Sequence, residues 1–312
     1  MNAAPALPLI GAIEAGGTKF VLATGTGPDD LREVERIPTT SPKETLRRCA
    51  EYFEAAQAKH GPLAALGVGT FGPAGLDPAQ SDWGFITTTP KAGWQQIDVA
   101  GYFQRSLCVP VAFDTDVNAA ALSEWKWGAG RGCRVLLYLT VGTGIGGGVI
   151  IRGQPLHGLL HPEMGHIPIQ KPTALAGFRG VCPWHGDCLE GLASGPAIAE
   201  RWGLPANELP PEHQAWDVEA ECLAAACAAF ACTLSPHRII LGGGVMEAPG
   251  LLAKVQQKTA ARLNGYLQHP AITQRMAEFI TTPGLGNRAG ILGSLALGMA
   301  RATASNPSST ST

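Results

Sequence analysis

Three residues able to ligate a metal crowd into seven positions: Cys182, His185 and Cys188, spaced C-x2-H-x2-C. Thiolate sulfur and imidazole nitrogen are the donors that tetrahedral zinc takes, and the short spacings let one turn wrap three of them round one ion. His166, sixteen residues before Cys182, is the best-placed fourth donor. Ordinary buried cysteines and histidines are the bland alternative; their density beside Pro183 and Gly186 argues against it. Two acids share the stretch: Glu163, three residues before His166, and Glu190, two after Cys188. A metal knot over residues 161–191 would fix both carboxylates and an imidazole on an irregular loop, and so build a polar ligand site.

A second candidate for chemistry is Asp114-Thr115-Asp116. It stands between a short apolar strand, VPVAF at 109–113, and a helix that begins VNAAALSEW. A carboxylate where a strand ends and a helix starts is well placed for catalysis in open α/β sheets. The structural alternative is a helix N-cap. One of the two aspartates can serve the fold while the other faces a ligand.

Two Gly/Thr loops complete the set. Gly16-Gly17-Thr18-Lys19 joins the apolar runs 9–15 and 20–24, and Thr143-Gly144-Ile145-Gly146-Gly147-Gly148 interrupts 135–151. P-loops and dinucleotide fingerprints need a helix after the glycines, so that its amides can meet the phosphate. Here each loop joins two β-type segments and reads as a hairpin. One such loop suits a plain turn as well as a phosphate. Two, about 130 residues apart, are more specific, and a facing pair could hold a nucleoside triphosphate between two domains.

These residues need rigid elements behind them. Residues 41–60 follow a helix template, with Ser41 as cap, Pro42 at the first position, Glu44 three after the cap and Gly61 as stop. Residues 62–71 form a buried strand. The turn-rich stretch 81–94, with two tryptophans, reads as an active-site loop; a surface loop anchored by tryptophan is the alternative. AWDVEAECLAAACAAFACTLSP is a long helix whose Ala/Cys face suits close packing, inside the protein or across a dimer. RIILGGGV, 238–245, is a buried strand running into three glycines. Close approach to a flat apolar ligand explains them, as does a strand-to-helix turn. Helices follow over roughly 249–268 and 289–303, and the tail is expected to be disordered.

Composition narrows the classes. The net charge of the 312 residues is −2, so no bulk attraction to nucleic acid or a membrane is implied. No apolar run is long enough to span a bilayer. Eight cysteines in a chain this long are no disulfide framework, and Cys222, Cys227 and Cys232 read as small core residues of a helix. With no signal peptide in view, a reducing cytoplasm is expected.

Six stretches can now be set against a family: EAGGTK (14–19), DVNAAAL (116–122), TVGTGIGGGVI (140–150), HPEMGH (161–166), CPWHGDCLEG (182–191) and LGGGV (241–245). Together they resemble the ROK-family sugar kinases, most closely their bacterial zinc-containing fructokinase branch. The resemblance implies an α/β protein with the actin-like/hexokinase (ribonuclease H-like) ATPase fold, two domains with an interdomain cleft. The expected boundaries are 1–120 for the first domain, with a helix at about 289–303 packing back on it; 121–288 for a larger second domain carrying segment 161–191; and 304–312 for the tail.

The resemblance also assigns roles. Asp116 matches the catalytic base. Glu163, His166 and Glu190 match ligands of the sugar hydroxyls, and Thr115 stands beside the base. Gly16, Gly17, Thr18 and Lys19 match one phosphate loop, Thr143 and Gly144 the other, and Gly243 and Gly244 the adenosine side. His166, Cys182, His185 and Cys188 match a structural Zn2+ shell; many relatives have three cysteines and one histidine there, so His185 marks the fructokinase-like variant. Mg2+ is expected to arrive with ATP, and a homodimer is implied.

Two departures bear on substrate. Glu14 stands where most relatives have Asp, which keeps the charge and lengthens the reach to Mg2+. Thr115 replaces the Asn of glucokinase-like members, and that lost amide weakens a glucose reading. The expected activity is therefore phosphoryl transfer from ATP to the 6-hydroxyl of D-fructose, with glucokinase, mannokinase or N-acylhexosamine kinase as alternatives. A sugar-sensing regulator is the reading from another class. Its helix-turn-helix needs room before the first strand, which starts at about residue 9. A zinc-braced scaffold with a degenerate nucleotide site is a third reading, and Asp116 with both loops intact argues against it.

Overall fold

A computed structural model describes residues 7–304. Of the tail expected over 304–312, Ala304 closes the last helix and the rest lies outside the described residues. The chain divides into two compact units. Among the described residues, 7–123, 157–161 and 287–304 form the first, and 124–156 and 162–286 the second. The division falls inside a helix, and the short return at 157–161 is one that the sequence boundaries do not contain.

The first unit is built on a five-stranded sheet. β1 (Ile10–Ala15) pairs antiparallel with β2 (Lys19–Gly27), and β2 with β3 (Asp30–Pro38). On its other side β1 pairs parallel with β4 (Ala65–Thr70). A two-stranded ribbon, β5 (Phe85–Ile86) with β6 (Ile97–Asp98), follows, and β7 (Val111–Thr115) pairs parallel with β4. β4 is buried along its whole length, as a strand covered on both faces must be. The edge strand β3 instead carries exposed Glu33, Glu35 and Arg36, charges that discourage another chain from pairing there.

Helices α1 (Pro42–His60) and α2 (Val99–Leu107) belong to the core on one side, where Leu46, Cys49, Phe53 and Phe103 join Phe20, Leu22 and Val68. α1 begins as its sequence dictates: Ser41 accepts the Glu44 amide at 3.4 Å and Gly61 closes the helix at φ 95°. α3 (Asp116–Trp127) leaves directly from β7. Trp94, at the end of the turn-rich stretch 81–94, is fully buried. It packs against Phe20 and Phe71, and its Nε1 donates to the Thr40 carbonyl at 2.9 Å. It is a core anchor for that loop.

The second unit repeats the sheet. β8 (Val135–Val141) and β9 (Ile145–Ile151) form an antiparallel hairpin, and β9 pairs with the short β10 (Gln154–Pro155). β11 (Arg238–Gly242) lies parallel to β8, and β12 (Ile280–Thr281) parallel to β11. The orders 3-2-1-4-7 and 10-9-8-11-12 are the same arrangement drawn twice. The two Gly/Thr loops therefore cap equivalent hairpins, as their sequences suggest. α4 (Leu189–Ala193), α5 (Gly195–Trp202) and α6 (Ala215–Leu234) follow the metal-type segment, and α7 (Leu251–Leu263) packs on α6. α6 is internal, with Cys222 and Cys227 buried; Cys232, read from sequence as a core residue, is exposed.

α10 (Ala289–Ala304) returns to the first unit and packs on β1 and β4. The approach is close: a side chain at Gly67 would start 1.8 Å from the Ser294 carbonyl oxygen, so only glycine fits. The Ser294 hydroxyl donates to the Ile13 carbonyl at 2.7 Å and accepts the Gly69 amide at 3.2 Å, tying the helix to both strands. Among the described residues no helix is long and apolar enough to cross a membrane.

Candidate active site and metal cluster

The Cys/His quartet converges. One ligand atom from each of His166, Cys182, His185 and Cys188 lies within 4.8 Å of all the others. Cys182 Sγ is 3.7 Å from His166 Nδ1 and 3.6 Å from His185 Nδ1, and Cys188 Sγ is 3.6 Å from His166 Nδ1. Zinc bonds of about 2.0–2.3 Å give a regular tetrahedron edges of about 3.3–3.8 Å. These three separations fall within that range. Local backbone explains the spacing. Cys182 and Gly186 exchange two backbone hydrogen bonds, which folds the x2 spacers into one tight loop. Cys188 caps α4, its Sγ accepting the Gly191 amide at 3.4 Å. Burial pushes the Cys188 thiol up to about 11, so a cation that binds the thiolate must displace a proton.

Glu190 joins this cluster to the second Gly/Thr loop. Its Oε2 accepts the Ile145 amide at 2.8 Å, while Oε1 lies 3.9 Å from His166 Nε2. With Nδ1 turned to the cluster, His166 keeps Nε2 for another partner. Desolvation, and next the like charge of Glu190, raise the Glu163 carboxyl above its ordinary range. Thr143 is exposed at the tip of the β8–β9 loop, and the Gly142 carbonyl accepts the Gly195 amide at 2.7 Å. Gly243, at φ 91°, leaves no room for a side chain, which would start 2.3 Å from the Val141 carbonyl oxygen. Gly243 therefore turns away from β11 hard against the end of β8, while Gly244 faces open space. These parts stand at the carboxyl ends of two parallel strands, where open α/β sheets bind ligands.

In the first unit the Gly16–Lys19 turn is braced from behind. Gly16 donates to the Lys19 carbonyl at 3.0 Å, and Thr39 holds the Gly16 carbonyl through its hydroxyl at 2.7 Å and the Thr18 carbonyl through its amide at 2.9 Å. Lys19 is exposed. Lys91, which the sequence reading left unmarked, places its Cδ 4.0 Å from where a Gly17 side chain would begin. Glu14 lies against the first turn of α10. Burial pushes its carboxyl up, opposed by Lys19, Arg36 and a hydrogen bond from the Ile291 amide.

Asp114 and Asp116 separate clearly. Asp114 is buried with both oxygens engaged: Oδ1 takes the Thr115 amide and Asn118 Nδ2, each at 2.7 Å, and Oδ2 meets His157 Nε2 at 3.0 Å. Asp116 is part-buried, with Oδ1 accepting the Val117 amide at 2.8 Å. Thr115 is buried, and its hydroxyl oxygen accepts the Asn118 amide at 3.2 Å as a cap for α3.

His157 also escaped the sequence reading, although it stands only four residues before the His161 of HPEMGH. His161 Nε2 accepts the Ala74 amide at 3.1 Å, so both histidines pin the returning segment to the first unit. The hydrogen bond to Asp114 holds the His157 imidazole above its ordinary 6.5. A folded value above the unfolded one means that the charged pair supports the fold in acid. That support fades as the pH rises from about 6.5 through the raised value. NMR titration of His157 is expected to give a midpoint above 6.5 that Asp114→Asn brings back down. A midpoint at or below 6.5 in the parent protein would contradict the pairing.

Residues 10–301 match the model of the ROK family. The chain is 46% identical to a fructokinase of Zymomonas mobilis over 298 residues, 94% of this chain and 97% of that protein. It is 40% identical to a fructokinase of Pediococcus pentosaceus over 94% of this chain and 98% of the relative. Among solved structures, a ROK hexokinase from Thermus thermophilus is similar at a TM-score of 0.76 and 27% identity, covering 93% of this chain and 97% of that one.

Proposed function

The chain belongs to the ROK family, and from that premise we propose that it is an ATP-dependent fructokinase of the actin-like/hexokinase fold. The observation that carries the proposal is likeness to fructokinases along nearly the whole of both chains. Asp116 is the general base. It takes the proton from the sugar's 6-hydroxyl as that oxygen forms its bond to the γ-phosphorus and the bond to ADP breaks. The oxygens of Asp114, both engaged by Thr115, Asn118 and His157, support a structural reading for that other aspartate.

Glu163, His166 and Glu190 hold the sugar hydroxyls, with His166 Nε2 as the imidazole nitrogen turned away from the cluster. The Thr115 hydroxyl still has its own proton to donate. The turn Gly16-Gly17-Thr18-Lys19, with Thr143 and Gly144, takes the phosphates, and Gly243 and Gly244 admit the adenosine. His166, Cys182, His185 and Cys188 would hold a structural zinc ion that braces the sugar-binding segment, their spacing being the support for it. Mg2+ brought with ATP would neutralise phosphate charge; a magnesium ion takes one or two carboxylates beside the phosphates, and Glu14 offers one. Free thiols throughout the described residues favour a reducing cytoplasm. The homodimer implied by the family resemblance is part of the same proposal.

Coupled ADP release over a panel of hexoses tests this reading. Fructose is expected to give the highest kcat/KM, above glucose, mannose and N-acetylmannosamine. Preference for one of those would move the substrate assignment. Absence of ADP release with every sugar would leave a sensor or scaffold.

A further inference from the structure

The second unit holds a cavity of about 640 Å³ that none of the roles above uses. Its walls come from the end of α6, the start of β11 and two short helices, α8 (Pro270–Thr273) and α9 (Met276–Phe279). β11 begins with Arg238, on the cavity, and ends at Gly242, before the Gly243–Gly244 turn. The cavity and the candidate nucleotide glycines therefore lie at opposite ends of one strand.

Its polar lining is cationic. Arg238 is held in place by backbone: Nε donates to the Glu278 carbonyl at 2.8 Å and Nη1 to the Ala129 carbonyl. Neither Arg238 nor Arg131 makes an ion pair among the described residues. His237 Nδ1 accepts the Val135 amide at 3.3 Å, and His269 Nδ1 accepts the Ala271 amide at 3.2 Å. An imidazole accepting at Nδ1 carries its proton on Nε2, so both rings are fixed as donors. Glu278 is the one acid of the lining; it lies 3.7 Å from Arg275, and both side chains are more than half exposed. Leu267, Ile272 and Phe279 supply an apolar wall. Arg134 and Arg152 line an adjoining hollow that shares Arg131, extending the positive field in a chain whose net charge is −2.

We propose that this cavity is a second ligand site, for an organic phosphate: a phosphate monoester carried on a ring-bearing body. The guanidinium groups of Arg131 and Arg275, with imidazole N–H donors beside them, match a dianionic, tetrahedral acceptor better than a carboxylate. The apolar wall suits the ring, and the volume is that of a small-molecule site. The site is independent of the sugar and nucleotide positions, and its test does not rest on the fructokinase reading.

Calorimetric titration of the full-length, metal-loaded protein at low ionic strength tests it, with fructose 6-phosphate, AMP and inorganic phosphate as probes. Arg131→Ala/Arg275→Ala removes two exposed cations that touch nothing in the candidate active site. At least one probe is expected to bind the double variant about tenfold or more weaker than the parent, and to weaken with added salt. The same probe is expected to bind Lys19→Ala undiminished, and fructose turnover without probe is expected to be unchanged in the double variant. Equal binding of bare phosphate would overturn the ring-bearing ligand; preference for the sugar phosphate or for the nucleotide supports the site and identifies the body it reads. Binding that Lys19→Ala abolishes and the double variant retains, or no binding of any probe, overturns it.

Discussion

Asp116→Asn is expected to lower kcat by about 10²–10⁴-fold while the affinities for ATP and fructose stay within about twofold of the parent. The substitution keeps the shape of the side chain and removes its charge and with it the ability to accept a proton. Loss confined to kcat is the signature of an interaction made in the transition state. The neighbouring aspartate provides a control with a different signature. Asp114 holds the Thr115 amide, the Asn118 side chain and His157, so Asp114→Asn should disturb the strand–helix junction and lower thermal stability as well as turnover. Single-turnover kinetics with equilibrium binding of both substrates separates the two. Near-parental turnover in Asp116→Asn would remove this residue from the role.

Removing the metal is the second large effect. Cys182→Ala is expected to contain no zinc by elemental analysis. Its fructose KM is expected to rise about tenfold or more and its Tm to fall, while the KM for ATP changes little. The physical reason is local. Cys188 begins α4, and Glu190 lies in the first turn of that helix, tied to the Ile145 amide. Cys182 closes the loop just before it by pairing with Gly186. Without a cation the two thiols and two imidazoles have no common partner, and the segment carrying Glu163, His166 and Glu190 loses its brace. A zinc-free Cys182→Ala that kept full fructose affinity and full stability would show that the cluster braces nothing.

Much of this was legible because it is written in local pattern. The hairpins at Gly16–Lys19 and Thr143–Gly144 announced themselves by glycine between β-branched runs, and α1 by Ser41, Pro42 and Gly61. The quartet was legible from donor type and spacing alone. What sequence could not give was the partner of each polar group. Asp114 and Asp116 are the same residue type two positions apart, and only the folded chain shows the bonds that make Asp114 an anchor. Cys232 was misread for a related reason, since burial depends on which neighbours arrive from far along the chain. His157 carried a weak signal, one more histidine before a dense motif, and its meaning depends on a return to the first unit that no local pattern records.

The glycine seat under α10 has a consequence for biosynthesis. β1 and β4 leave the ribosome early, yet the helix that covers them is among the last segments translated. Until then the nascent first sheet shows an open face at Gly67 with Ile13 and Gly69 lacking their Ser294 bonds. A chain ended by a premature stop near residue 288 would keep that face bare and be a natural client for chaperones or degradation.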